Sequence, residues 1–76
     1  MDSIRLGHTI RTTRKALRLR QSELASVAGV SVRTLSEIEN GKDTAQLGLV
    51  LKVLDCLGIS VTLEIPPLPP TPAAEA

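Results

Sequence analysis

The sequence predicts an all-α domain of four to five short helices, followed by a single β-strand that pairs across a homodimer. Three observations lead there. Apolar residues recur at helical spacing in segments closed by Gly29, Gly41 and Gly58. There is no Phe, Tyr or Trp, so Leu, Val, Ile and Ala must do all the packing. Residues 60–65 alternate polar and apolar, and no second strand pattern accompanies them. A chain of 76 residues is one compact domain at most. So small a core buries a limited share of its surface, and oligomerisation adds to it.

The first helix is expected from Asp2 or Ser3, either of which can cap it, to about Leu17. Leu6, Ile10, Thr13 and Leu17 share one face, with Arg5, Arg11 and Lys15 turned away. A second helix, 21–28, offers Leu24, Ala25, Val27 and Ala28 as its inner side. Gly29 ends it by supplying a left-handed residue for a tight turn. Ser31 is a good N-cap for a third helix, 32–39. There Leu35 and Ile38 point one way, while Arg33, Ser36, Glu37 and Asn40 crowd the other.

Gly41 stops the third helix, and residues 42–44 read as a loop. The fourth helix runs from Ala45 or Gln46 to Leu57, with Gly58 as terminator. Leu47, Val50, Leu51 and Leu54 form a stripe for the core, and Leu49, Val53 and Cys56 form a second stripe beside it. A helix apolar over more than half its circumference needs cover on two sides, so the second stripe is expected to meet another subunit. The segment 60–65 points the same way. A lone strand leaves its backbone groups unpaired. Antiparallel pairing with a second copy, through Val61, Leu63 and Ile65, solves that around a two-fold axis. Residues 66–76 hold the proline-rich run, which can continue neither strand nor helix, and they read as an extended, disordered tail.

The net charge is only +1, yet Arg5, Arg11, Arg14, Lys15, Arg18 and Arg20 follow one another with no acid between them. Such a stretch suits phosphate neutralisation. The single cysteine, Cys56, forms no internal disulfide and fits a reducing cytoplasm. No apolar run is long enough to span a membrane, and the N-terminus lacks the apolar stretch of a secretory signal. His8 has no companion at ligand spacing, so no metal and no cofactor are expected. No Cys–His pair, paired carboxylates or glycine-rich phosphate loop supports an enzyme. Binding is the expected activity.

Two short helices joined by a glycine turn, the second with a polar outer face, make a helix-turn-helix. Its second helix is narrow enough for the major groove, where base edges carry a distinct donor and acceptor pattern. Three runs, Gln21-Ser22-Glu23-Leu24-Ala25, Gly29-Val30-Ser31 and Leu35-Ser36-Glu37-Ile38-Glu39-Asn40-Gly41-Lys42, resemble the Cro/C1-type (XRE) helix-turn-helix of bacterial and phage repressors. The similarity covers roughly residues 6–59 and implies the lambda-repressor-like fold. Gly41-Lys42-Asp43-Thr44-Ala45-Gln46-Leu47-Gly48, then Val50-Leu51-Lys52-Val53-Leu54 and a terminal strand, is similar to HipB-type antitoxins. That resemblance implies a strand paired across the dimer and a HipA-type kinase toxin as partner.

Carried over by position, the resemblance implies base reading by Val32, Arg33, Ser36 and Glu37. Arg33 suits a guanine, Glu37 a cytosine amine and Val32 a thymine methyl. It implies backbone contacts by Gln21, Asn40 and Lys42, and a structural ion pair between Arg14 and Glu39. Arg20 stands where the family often has Ser or Thr capping the second helix. A capping oxygen is lost there, and a cation is gained near the DNA backbone.

The expected organisation is a DNA-binding domain over 1–59, a dimerising strand over 60–65 and a tail over 66–76. The expected function is sequence-specific repression by a cytoplasmic homodimer on a palindromic double-stranded DNA operator, together with the antitoxin role. The alternatives are a stand-alone phage-type or metabolic repressor, and an interaction module whose main partner is a toxin.

Overall fold

Four helices make up the described part of the chain, residues 1–67 of a computed structural model. Asp2 opens α1 (Ser3–Ala16): its backbone is extended, and its carboxylate accepts from the Arg5 N–H at 2.8 Å. α2 (Gln21–Ala28) begins after Arg20, which has no oxygen to cap it. Glu23 Oε1 instead accepts from the Arg20 N–H at 2.8 Å, which ties the first turn back on itself. At α3 (Val32–Glu39), Ser31 Oγ accepts from the Thr34 N–H at 3.0 Å. α4 (Leu47–Cys56) begins after an extended Gln46, within the residues expected to open it.

All four helices end in the same hydrogen-bonding pattern, in which a left-handed residue turns two N–H groups back onto the last carbonyls. For α3 these are Gly41 N to Ile38 O and Lys42 N to Glu37 O, both 3.0 Å. Gly29, Gly41 and Gly58 hold that left-handed position after α2, α3 and α4, as their spacing predicts. After α1 the same position falls to Arg18, at φ 58°. A side chain there crowds the following carbonyl, at a cost of about 1–2 kcal/mol. Glycine removes the clash but loses more chain entropy on folding. Arg18→Gly is therefore expected to stabilise the domain by about 0.5–1 kcal/mol. A higher urea midpoint at unchanged slope would show it.

The core is aliphatic and is built by all four helices. Ile10, Leu24, Leu35 and Val53 are completely or almost completely buried. Ala25, Ala28, Ile38, Val50, Leu54 and Leu57 surround them. α1 packs on α3, and α2 packs on both α3 and α4.

The α1–α3 contact is close because Gly7 sits at it. A Cβ at Gly7 would collide with the Ile38 carbonyl oxygen and lie 2.7 Å from that of Glu39. The buried face of α1 is therefore Gly7, Ile10 and Arg14, with Leu6 and Thr13 half-buried beside it. Leu17, expected on that face, is 53% exposed. Val27 also departs from expectation and is exposed. The buried arc of α2 is centred between Leu24, Ala25 and Ala28, and Val27 lies about 110° from its middle at 3.6 residues per turn.

α4 corrects the sequence reading most. Val53, assigned to a dimer contact, is 0% exposed and lies in the middle of the monomer's own core. The inward arc is Val50, Val53, Leu54 and Leu57. Leu47 and Leu51, assigned to the core, lie on its flank and are 69% and 45% exposed. Both stripes read from the sequence are apolar, so periodicity alone does not say which part of so wide an arc turns inward.

After α4 the described residues contain no β-strand, and 59–67 carry no regular secondary structure. A ladder needs two strands, and this segment is the one candidate in the described chain. Val61, Leu63 and Ile65 are exposed. The tail expected over 66–76 lies outside the described residues from position 68 onward.

Candidate nucleic-acid interface

The second and third helices meet at Gly29-Val30-Ser31, and three local features hold that corner. Gly29 turns at φ 74°, Val30 N donates to Ala25 O at 3.0 Å, and Ser31 caps α3. Leu35 and Ile38 anchor α3 inward. Its outer face then carries Val32, Arg33, Ser36, Glu37 and, just past its end, Asn40. Val32 is 45% exposed, Arg33 and Asn40 are exposed, and Ser36 and Glu37 are half-buried. An apolar methyl surface, a guanidinium, a hydroxyl and a carboxylate thus share one narrow face.

The face is braced from behind by a buried ion pair. Arg14 Nε donates to Glu39 Oε2 at 2.7 Å and a terminal nitrogen donates to Oε1 at 3.0 Å, a bidentate arrangement. Arg14 also donates to the Leu19 carbonyl at 2.8 Å, which ties the α1–α2 turn to the same anchor. Gln21 joins in: its Nε2 donates to Glu39 Oε1 at 3.1 Å. The side chain that opens α2 is thereby held against the end of α3. Among the described residues no buried side-chain nitrogen or oxygen lacks a hydrogen-bond partner.

Lys42, three residues beyond the end of α3, reaches back to Glu37 at 2.8 Å. That hydrogen bond is the main reason the Glu37 carboxyl lies below the usual carboxylate range; desolvation opposes it, and the charges of Lys42 and then Arg33 add smaller lowering effects. Arg20 is exposed at the mouth of α2, beside the exposed Arg18. Cys56 is exposed, and among the described residues no three of His, Cys, Asp and Glu gather as a metal site would require. No described helix is long and apolar enough to cross a membrane.

A family model described as helix-turn-helix matches residues 10–63, most of the chain. The uncharacterized HTH-type transcriptional regulator y4mF of Sinorhizobium fredii (strain NBRC 101917 / NGR234) is 49% identical over 61 residues, 80% of each chain. This chain belongs to the XRE-type helix-turn-helix family.

The architecture of this helix-turn-helix protein is shared with solved structures. The HipB protein in a HipB–O4 20mer complex superposes with a TM-score of 0.78 at 31% identity, covering 86% of this chain and 92% of that one. A chain of a HipA–HipB–O2–O3 complex gives a TM-score of 0.79 at 31% identity and the same coverage.

The fold brings together Val32, Arg33, Ser36 and Glu37 on one face, and Gln21 with the Arg14–Glu39 pair. It does not bring together the proposed dimer residues. Leu49 borders a depression with Thr34, Glu37 and Lys42. It lies two residues, hence about 200°, around α4 from Leu51. Leu51 instead borders a shallow depression with Leu47, Leu54, Ile59 and Val61. The sequence reading placed Leu47 and Leu51 in the core, where they are not, and missed Gly7. The signal for Gly7 was a glycine in mid-helix on the apolar face, which is costly unless another backbone approaches.

Proposed function

We propose that this protein is a sequence-specific transcriptional repressor that binds a palindromic operator as a cytoplasmic homodimer. The observation that carries the reading is the outer face of α3, where Val32, Arg33, Ser36 and Glu37 project while Leu35, Ile38 and Glu39 are buried. Such a face presents donors, an acceptor and a methyl surface, the vocabulary of major-groove recognition. Arg33 reads a guanine, Glu37 a cytosine and Val32 a thymine methyl. Gln21, Asn40, Lys42 and Arg20 contact the phosphates.

The dimer forms through the exposed flank of α4, Leu47 and Leu51, together with residues 60–65. Val61, Leu63 and Ile65 leave the fold on the side where Val61 adjoins Leu51. Antiparallel pairing of two copies satisfies the backbone and covers these side chains. Two recognition helices then fall about one helical turn, roughly 34 Å, apart.

We further infer that the repressor is the autoregulatory antitoxin of a HipA-type kinase toxin. The likeness to the HipB chain of a HipA–HipB complex supports this. The second reading is a stand-alone repressor, consistent with the name of the Sinorhizobium fredii relative as a transcriptional regulator. Co-purification with the product of an adjacent gene decides between them.

The test of the repressor reading is fluorescence anisotropy on the DNA upstream of its own gene, titrated with salt. Specific binding with a steep salt dependence is expected. Arg33→Ala should weaken it by about 1–3 kcal/mol per half-site and relax the preference at one base position. Unchanged affinity and preference would remove Arg33 from the recognition set.

A further inference from the structure

Two residues assigned to different parts of the DNA contact are bonded to each other. Lys42 Nζ donates to Glu37 Oε2 at 2.8 Å, and the two side chains are 47% and 36% exposed, so the pair is open to solvent. Their meeting is set by the backbone. The left-handed Gly41 returns the Lys42 N–H to the Glu37 carbonyl at 3.0 Å, so both side chains start from one hydrogen-bonded turn. An ordinary surface ion pair must order two long side chains in the open. This one is ordered at its base before it forms.

We propose that the Glu37–Lys42 pair is a specificity latch, in which Glu37 withholds Lys42 from the phosphates until its carboxylate meets an acceptable base edge. The inference rests on the DNA-binding reading above. On a non-cognate site Glu37 finds no donor. A bare carboxylate would then face the phosphate-lined groove, and Lys42 stays on it to neutralise that charge. A lysine so engaged releases no counterion from the DNA and adds nothing to sequence-independent affinity. On a cognate site a cytosine amine takes over the carboxylate, and Lys42 turns to a phosphate. Base reading and backbone contact thus become one event. Arg33, one turn before Glu37, adds a second positive charge close enough to help hold the carboxyl ionised.

The experiment compares the full-length protein with Glu37→Gln, Lys42→Gln and the double variant. The probe is a fluorescein-labelled duplex of scrambled sequence, read by anisotropy across a salt series. All the substituted groups are solvent-accessible, and matching circular dichroism melts confirm that each variant is folded. Glu37→Gln frees Lys42, so the slope of log affinity against log salt steepens by about 0.9 per subunit on scrambled DNA. Lys42→Gln alone weakens binding to scrambled DNA by uncovering the Glu37 carboxylate but leaves that slope nearly unchanged, because the wild-type lysine displaces no counterion there. In the double variant the steepening disappears. On the operator, Glu37→Gln lowers discrimination by roughly 5- to 150-fold.

The latch is overturned if Glu37→Gln leaves the slope unchanged. It is equally overturned if the slope steepens as much with Gln at position 42, since that is only the loss of one repelling charge. A wild-type protein that binds no duplex in a salt-dependent way overturns the repressor reading and the latch together. Wild-type binding with an additive cycle overturns the latch alone.

Discussion

Glu39→Ala is expected to unfold the domain. The Glu39 side chain is 2% exposed and its Arg14 partner 9%, and the carboxylate takes both guanidinium bonds as well as one from Gln21. Removing it strands a buried guanidinium whose one other hydrogen-bond partner among the described residues is the Leu19 carbonyl. Breaking a buried pair from one side costs about 3–5 kcal/mol. A domain of this length has a total stability of roughly 4–11 kcal/mol. The variant should therefore be largely unfolded, or melt far below the wild type, in circular dichroism at 222 nm. Replacing both partners by apolar residues of similar volume, Arg14→Met with Glu39→Leu, should restore most of that stability, because no charge is then left buried. Restored folding with weakened DNA binding would separate the stabilising role of the pair from its hold on Gln21. A loss of less than about 1 kcal/mol in Glu39→Ala would mean that water reaches the guanidinium, and that the pair is not the anchor described.

Leu51→Asp should leave the fold intact and abolish tight operator binding. Leu51 is 45% exposed on the flank of α4 beside Val61, so an aspartate there is solvated in the monomer. In the proposed dimer the same carboxylate would be buried without a partner, which is prohibitive. Analytical ultracentrifugation should find monomers. Affinity for the operator should fall by about a thousandfold or more, toward the level of sequence-independent binding. Val53→Asp, two residues further on, makes the contrast. It places a charge at a site with no exposure, so it should unfold the monomer instead of dissociating a dimer. A dimeric Leu51→Asp protein would place the interface elsewhere.

The extent to which the sequence was legible follows the range of the interactions involved. Helix ends were legible because their chemistry is local. Ser31 caps the residue three places on, and Gly29, Gly41 and Gly58 supply left-handed turns to carbonyls at most five residues away. The outer face of α3 was legible for a related reason. Leu35 and Ile38, one turn apart, set its inward side, so Arg33, Ser36 and Glu37 had one place to go. α4 was different, since seven of its ten residues are Leu, Val or Cys. Periodicity then defines a wide arc but not its centre, and the packing of α2 on α4 put Val53 inside and Leu51 outside.

The sequence by itself determined where this chain bends, which helix offers a polar face and which family it joins, because those depend on neighbours along the chain. The tertiary structure alone decided which apolar flank of α4 stays exposed and why α1 needs Gly7. It also decided how Gln21 is held by Glu39 and that Lys42 answers to Glu37. Each of these depends on where a side chain or a backbone carbonyl from elsewhere comes to rest. Gly7 needs a carbonyl over thirty residues away, Gln21 a carboxylate 18 residues away, and Lys42 the particular turn that Gly41 makes. Local propensity carries no record of such distances. Packing does, because the arrangement of the four helices is what buries Ile10, Leu24, Leu35 and Val53 together.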